Sequence, residues 1–535
     1  MLTLNHQAFE HREDWAAAGI RLPSFALTSL RTNTRQTPKW VHIGPGNIFR
    51  GYIAALGQAV LEQGGMESGI TALSTFDHQI VEKIYRPYDD LALQVLMYAD
   101  GKLEKNIIAS IGESVRADLD WRRCKEIFAS PSLQMVSFTI TEKGYALCGM
   151  DGQYFPELLA DFQADIRTNA PQNGMAIVAA LLLARYEAGA HPIAMVSMDN
   201  FSHNGERLQK SVCEVANHWV EQSIAPADFL QYLENPQTVS FPCTCIDKIT
   251  PRPDAGVASA LEQAGFGSTQ VEITDKGTYI APFVNAEAPQ YLVIEDRFPN
   301  GRPPLELAGV YFTNRETVDS FERMKVCTCL NPLHTGLAIF GCLLGFERIS
   351  AEMDDPQLAA LARRIGEVEG MPVVSDPGIL RPQDFLAEVL EQRLVNPYIP
   401  DTPQRIATDT SQKLAIRFGQ TIRLYRQKMG TEQLVAIPLV LAGWCRYLLG
   451  VDDLGAAMPL SPDPLLPQLQ QKLEGIRLGE PSGAKDKLKS LLSNPQIFGC
   501  SLYEDRLGER IEAYFERMLT GPGAVRSLLK EVLSQ

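Results

Sequence analysis

Two glycines one residue apart follow a four-residue apolar run, residues 40–51 reading WVHIGPGNIFRG. No other stretch constrains the chain as much, because few folds need a short strand, a tight glycine turn and a helix in that order. The helix-forming segment GYIAALGQAVLEQGG comes next, with Tyr52, Ile53, Leu56 and Val60 on one face and a stop at Gly64-Gly65. A second strand candidate, GITALST, occupies 69–75. Gly44 and Gly46 suit the phosphates of a dinucleotide, and equally an ordinary strand–helix connection. The third glycine of the usual G-x-G-x-x-G pattern is absent, Phe49 standing there.

Two further apolar runs, MVSFTI at 135–140 and IAMVSM at 193–198, have the composition of strands buried on both faces. Each breaks off into a polar cluster, TEKGY and DNFSHNG. In an open α/β sheet ligands bind outside the carboxyl ends of the strands, so three such ends converge on Gly44/Gly46, Thr141-Glu142 and Asp199-Asn200. Between them, LALQVLMYADGKLEKNIIASI alternates about Asp100-Gly101 and predicts a hairpin departing from the parallel sheet. The expected architecture is therefore α/β: a Rossmann-type domain with a mixed sheet over 38–313, then a mainly α domain over 314–535. Residues 1–37 read as a polar lead-in without a core of its own.

A net charge of −15 argues against nucleic acid and anionic membranes as partners. The opening MLTLNHQAFEHRED lacks the apolar core of a signal peptide, and stretches such as 174–184 and 434–445 fall short of about 20 residues, the length of a bilayer span. Ten cysteines in 535 residues do not make a disulfide framework and fit a reducing cytoplasm. Small molecules are the expected partners; the oligomeric state is not legible.

Asp77, just after the second strand, has the position of a carboxylate that accepts from an adenosine ribose and disfavours a 2′-phosphate; an N-cap is the alternative. The segment FERMKVCTCLNPLHTGLAIFGCLLGF at 321–346 carries a lysine, an asparagine and a histidine within ten residues, leading into an apolar helix. A desolvated lysine exchanges protons near neutral pH, an asparagine donates to a carbonyl oxygen gaining charge, and a histidine orients a hydroxyl. The plainer alternative is a surface lysine beside a capping asparagine.

At this point the chain resembles a known family. HIGPGNIFR, TITEKGY, VSMDNFSHNG, CIDKITPR, LVIEDRFPNGRPPLELAGVYF, ERMK…LNPLHT and RIATDTSQK are similar, in order, to blocks of the polyol-specific long-chain dehydrogenases. This group holds mannitol 2-dehydrogenases, fructuronate reductases and tagaturonate reductases, and the resemblance covers roughly 38–535. It implies NAD as cofactor, metal-independent hydride transfer, and Lys325 as general acid in ketone reduction and base in alcohol oxidation. Asn200 and Asn331 match the asparagines at the carbonyl oxygen, and His334 a substrate-binding histidine. Asp247 matches a pocket aspartate, and Arg405 and Lys413 a basic pair for distal oxygens. Glu142 and Glu322 match glutamates near the proton path. Gly44, Gly46, Asn47, Arg50, Asp77 and Thr141 fall to the cofactor, while Asn204 is expected to shape the turn before Gly205.

The GPGNIFRG turn and the KVCTCLNPLHT segment look most like the fructuronate reductases. The implied reaction interconverts a keto sugar acid and its hydroxy acid, D-fructuronate and D-mannonate foremost. Tagaturonate or mannitol chemistry is the alternative, and a non-catalytic NAD-binding sensor is the alternative of another class. A uronate carboxylate calls for a cation, with Arg405, Lys413, Lys248 and Arg252 as candidates.

One spacing departs from the family. Five residues, Val326–Leu330, separate Lys325 from Asn331 where four are usual, and an added residue turns a regular helix by ~100°. A π-bulge or non-helical turn at Val326–Leu330 would absorb it. The pairs Cys243/Cys245 and Cys327/Cys329 are read as buried thiols in preference to a zinc site.

Overall fold

The computed structural model of the protein describes residues 1–481, 483–504 and 506–534. It divides into two compact units, one running to Val318 and one starting at Asp319.

At the centre of the first unit is a six-stranded sheet in the order Ile111–Arg116, Ile70–Ser74, Trp40–Ile43, Met135–Phe138, Ile193–Ser197, Val239–Ser240, all parallel. Numbered along the chain this is 3-2-1-4-5-6, the doubly wound dinucleotide-binding order. Five of these strands are buried at every residue, which is why the four longer ones read as unbroken apolar runs. Their side chains feed two cores. Val41, Ile43, Val136 and Phe138 pack with the helices Trp121–Ala129, Gly174–Glu187 and Asn204–Glu221 on one face. Trp40, Ile70, Ala72 and Val196 pack with Tyr52, Ile53, Leu56 and Val60 on the other.

The hairpin forms as its sequence predicts, Ala92–Met97 against Leu103–Ile108, with Gly101 at φ 88° in the turn. It belongs to a separate four-stranded sheet completed by Phe283–Glu287 and by the short strand Ile20–Arg21. The mixed pairing thus lies outside the large sheet. The N-terminal segment joins this unit through Ile20–Arg21, and Leu30 of the helix Leu27–Gln36 enters the second core. Two small sheets remain: Thr244–Asp247, Tyr291–Glu295 and Tyr311–Thr313 form one, and the hairpin Glu272–Ile273/Tyr279–Ile280 the other.

The second unit is helical, with nothing strand-like beyond isolated bridges among the described residues. The helix Asn331–Leu344 packs against Pro356–Arg363, Pro403–Ile406 and Ala436–Tyr447. Ala436–Tyr447 is buried at every residue. Its first amides, Val435, Ala436 and Ile437, donate to the carboxylate of fully buried Glu369, which satisfies a helix end that water cannot reach. Helical structure covers 30 residues, Arg315–Leu344, with a bend at Leu330 (φ −127°), and is long and apolar enough to cross a membrane. No apolar run in the sequence is that long, because the helix joins a charged segment to an apolar one. The apolar part is mostly buried inside the protein, so it is a core helix.

Candidate active site

In the first unit the strand Trp40–Ile43 ends at the sheet's topological switch point. Gly44 has φ +96°, and a Cβ there would press into the backbone carbonyl of Thr139, whose carbon lies 2.8 Å from the Cβ position. Only glycine fits, because the turn must pass directly over the end of the neighbouring strand. Gly46 has open space where a side chain would project, leaving the backbone approachable by a ligand. The helix starts one residue later, at 47.

Phe49, in place of the third glycine, is buried and stacks on His42, ring centroids 4.1 Å apart and planes 7° from parallel. His42 meets the hydroxyls of Ser137 at 2.7 Å and Thr139 at 2.8 Å, and burial pushes its pKa down to about 3. The close helix–strand contact that a third glycine ordinarily permits is made further along, at Gly57, where a Cβ would meet Ile70 at 2.9 Å.

Asn47 and Arg50 are tied to a remote segment. Asn47 donates to the Tyr279 carbonyl at 3.2 Å, and Arg50 donates to the Ala281 carbonyl at 2.7 Å and to the Asn47 amide oxygen at 2.8 Å. Arg50 is 1% exposed, so its guanidinium anchors residues 279–281 beside the turn. Asp77 is held by the same segment: its Oδ2 accepts from the hydroxyls of Thr274 at 2.7 Å and Thr278 at 2.6 Å. Its Oδ1 is buried without a hydrogen-bond partner. An approachable glycine, a helix start and a carboxylate oxygen short of one donor fit the phosphates and ribose of a dinucleotide.

Thr141 adopts φ 64°, a costly conformation for a β-branched residue. Asp199 holds it there, accepting from the amides of Ile140 and Thr141 at 2.9 and 2.8 Å and from the Tyr145 hydroxyl at 2.6 Å. Burial nevertheless raises the Asp199 carboxyl above the usual carboxylate range. Asn204 is fully buried; its amide nitrogen donates to the Asp199 carbonyl at 2.9 Å and its oxygen accepts from the Thr244 amide at 3.0 Å, which fixes the turn before Gly205. Asn200 and Glu142 lie exposed at the two strand ends.

Asp247, the last residue of its strand, is buried close enough to Tyr52 to help raise that phenol's pKa, after burial itself. Lys248 is occupied by the Glu287 carbonyl and Gln290, and the Arg252 guanidinium stacks over Tyr279 at 4.0 Å.

The second unit carries the remaining candidates. Lys325 is 2% exposed and opens a π-helical turn, Lys325–Cys329, between the α-helices Arg315–Met324 and Asn331–Leu344. The Leu330 amide donates to the Lys325 carbonyl at 3.1 Å, a five-residue step that takes up the extra residue. Glu322 sits three residues before Lys325 on the same helical run, half-buried. Asn331 begins the next helix with Pro332 at its first turn.

His334 Nε2 lies 3.5 Å from Oδ2 of buried Asp401, whose Oδ1 pairs with Arg405. Arg405 is set by the Thr402 hydroxyl, which accepts from its amide at 3.2 Å and caps the helix Pro403–Ile406. Lys413 donates to the Thr408 carbonyl at 2.5 Å, its pKa lowered by burial and then by neighbouring Arg417. Arg417 donates to Thr335 at 2.6 Å, whose hydroxyl donates to the Asn331 carbonyl at 2.8 Å. Burial lowers Arg417 to about 10.

Asp401 and Arg417 were not among the residues read from sequence. Each stands four residues from one that was, Arg405 and Lys413, the spacing at which helical side chains meet.

Cys243, Cys245, Cys327 and Cys329 are buried; burial pushes the Cys327 thiol up to about 11 and that of Cys329 to about 12. Among the described residues no group of three or more His, Cys, Asp or Glu is arranged around a metal position.

Two family models match the chain, the mannitol dehydrogenase Rossmann domain over residues 38–307 and the mannitol dehydrogenase C-terminal domain over 317–519. A D-mannonate oxidoreductase of Thermotoga maritima is 50% identical, the match covering 100% of this chain and 99% of that one. A D-mannonate oxidoreductase of Escherichia coli K12 is 30% identical over 90% of this chain and 93% of its own. Among solved structures, the ternary complex of Pseudomonas fluorescens mannitol 2-dehydrogenase with NAD and D-mannitol superposes with a TM-score of 0.68 at 26% identity, covering 100% of both chains. With both models matched in order and the doubly wound sheet in place, the chain belongs to the mannitol dehydrogenase family.

Proposed function

We propose that this protein is an NAD-dependent oxidoreductase interconverting D-fructuronate and D-mannonate. The observation that carries the proposal is the 50% identity, over the whole chain, to the D-mannonate oxidoreductase of Thermotoga maritima. NAD, when bound, would supply the hydride chemistry that interconverts the ketone and the secondary alcohol. Gly44 and Gly46 are assigned its pyrophosphate, Asp77 its ribose and exposed Thr141 its nicotinamide end.

The rest falls to side chains of this chain. Lys325, nearly stripped of water, gives its ammonium proton to the substrate oxygen as the ketone is reduced, and as a neutral amine takes it back in the reverse direction. The Asn331 amide donates to that oxygen as its charge grows, a part the resemblance extends to Asn200. His334, oriented by Asp401, binds a substrate hydroxyl. Arg405 and Lys413 are assigned the distal oxygens, and the desolvated Arg417 guanidinium adds a third cation for the uronate carboxylate. Ten cysteines in a chain of this length suit a reducing compartment, and the cytoplasm is the location proposed.

Oxidation of NADH by the purified protein with D-fructuronate, D-tagaturonate and D-fructose in parallel tests this reading. Fastest turnover with D-fructuronate is expected. Preference for either of the others reassigns the substrate, and tight NADH binding without turnover on any of them points to a sensor.

A further inference from the structure

Arg417 is a cation without a counter-charge. It lies largely withdrawn from water in the π-helical turn Ala415–Gly419, and burial alone depresses its pKa, with no carboxylate near enough to offset it. Among the described residues it forms no ion pair and one hydrogen bond, from Nη1 to the Thr335 hydroxyl at 2.6 Å. A guanidinium carries five N–H donors and is rarely taken from water unless an anion meets it.

The acids nearby serve other groups. Asp401 faces His334 with one oxygen and pairs with Arg405 through the other. Asp463 accepts from the Ser411 amide at 2.8 Å and the Ser411 hydroxyl at 2.5 Å, and together with Asp409 it favours the charge of Lys413. Arg405 and Lys413 are thereby balanced, with little net charge left for an incoming anion. Arg417 is not.

Its place along the site fits the acid end of a sugar acid. Thr335 stands four residues beyond Asn331 in one helix, on the same face and ~6 Å along the axis. In D-fructuronate the ketone and carboxylate carbons are four carbon–carbon bonds apart, a span of about 5 Å in an extended chain with bonds of about 1.5 Å. With the Asn331 amide at the ketone oxygen, the carboxylate falls beside Thr335, where the guanidinium is anchored.

We propose that Arg417 selects a sugar acid over a neutral polyol, binding the carboxylate while Arg405 and Lys413 hold hydroxyls that both classes carry. This rests on the function proposed above and deepens it. Thr335 is a positioning residue: it holds Nη1, which leaves the Nε–Nη2 edge for a two-pronged contact with the carboxylate.

Steady-state reduction of D-fructuronate and D-fructose by NADH tests this in the full chain, because D-fructose has a hydroxymethyl group where D-fructuronate has its carboxylate. Arg417→Gln is expected to raise KM for D-fructuronate by about 10- to 100-fold, with kcat changed less than about threefold. The ratio of kcat/KM for D-fructuronate to that for D-fructose is expected to fall by a similar factor. Arg417→Lys is expected to recover part of that ratio. Thr335→Val keeps the charge but frees the guanidinium, and is expected to lower the ratio by about 3- to 10-fold. Lys413→Gln is expected to weaken both substrates alike. A KM for D-fructuronate left within about twofold by Arg417→Gln, or a ratio moved as far by Lys413→Gln, overturns the proposal. Should thermal unfolding show that Arg417→Gln does not fold, Arg417→Lys and Thr335→Val decide the matter by the same ratio. Wild-type protein that uses D-fructose as well as D-fructuronate removes the proposed function and the selection together. A wild-type preference for D-fructuronate that survives Arg417→Gln removes the selection alone.

Discussion

The carboxylate of Asp401 faces His334 with one oxygen, Oδ2 to Nε2 at 3.5 Å, and gives the other to Arg405. One buried anion thus sets an imidazole and a guanidinium that are 71 residues apart in sequence, 405 less 334. Asp401→Asn keeps the shape and removes the charge. It is expected to lower kcat/KM for the sugar acid by about 10- to 100-fold, mostly through KM, because hydrogen bonds to charged groups contribute about 1.5–3 kcal/mol. Steady-state kinetics within twofold of wild type would show that the pair does not position the substrate.

Lys325→Met removes the only group assigned to proton transfer while filling a similar volume. Turnover is expected to fall by about 10²- to 10⁴-fold, with NADH affinity from fluorescence titration unchanged. Near-normal turnover excludes Lys325 as the acid.

Gly44→Ala forces a Cβ into the Thr139 backbone at a left-handed φ. A stability loss of about 3 kcal/mol is expected, together with weaker NADH binding because the turn must shift. Thermal unfolding and titration of one sample check both. An unchanged midpoint would mean that the two strand ends are free to separate.

His42 titrates near 3 in the folded chain against about 6.5 when unfolded. Between those limits the unfolded chain takes up a proton that the folded chain refuses, so this residue costs stability as pH falls below about 6.5, by up to about 1.4 kcal/mol per pH unit. Above that range it contributes no pH dependence. His42→Gln does not titrate, so its stability relative to wild type is expected to improve steadily as pH falls from 6.5. A pH-independent difference between the two contradicts the assignment.

Glu352 has the opposite sign. It is fully buried, neither oxygen has a hydrogen-bond partner, and burial holds its carboxyl well above the usual range. Its neutral form is at ease below about 4.3, and stability is lost as pH rises above that toward the folded pKa. Glu352→Gln is therefore expected to raise the thermal midpoint at pH 8 and to change it little at pH 4. A midpoint lowered at both values rules this out.

The strands of the large sheet were legible because burial on both faces leaves an apolar run that needs no partner to be recognised, as in WVHI and IAMVS. The edge strand IGESVR was not, since its third and fourth residues are polar and its place depends on pairing with Ile70–Ser74. Lys325, Asn331 and His334 were read together because they are close in sequence. What surrounds Asp77 was not, because Thr274 and Thr278 come from 197 and 201 residues away and nothing in either stretch announces the other. Asn47 and Arg50 were read as facing a ligand, but side-chain direction depends on what folds back against them, and here residues 279–281 do.

The widened turn at Lys325–Cys329 also bears on how such chains should be compared. A helix that swallows one residue in a single loop of its backbone passes the next turns on in phase, so insertion here leaves the downstream side chains facing as they did. Pairing this chain from the lysine, column by column and without a gap, with a chain of the four-residue spacing would set Leu330 against that chain's asparagine. The gap belongs between the lysine and the asparagine, where the backbone itself has made room for it.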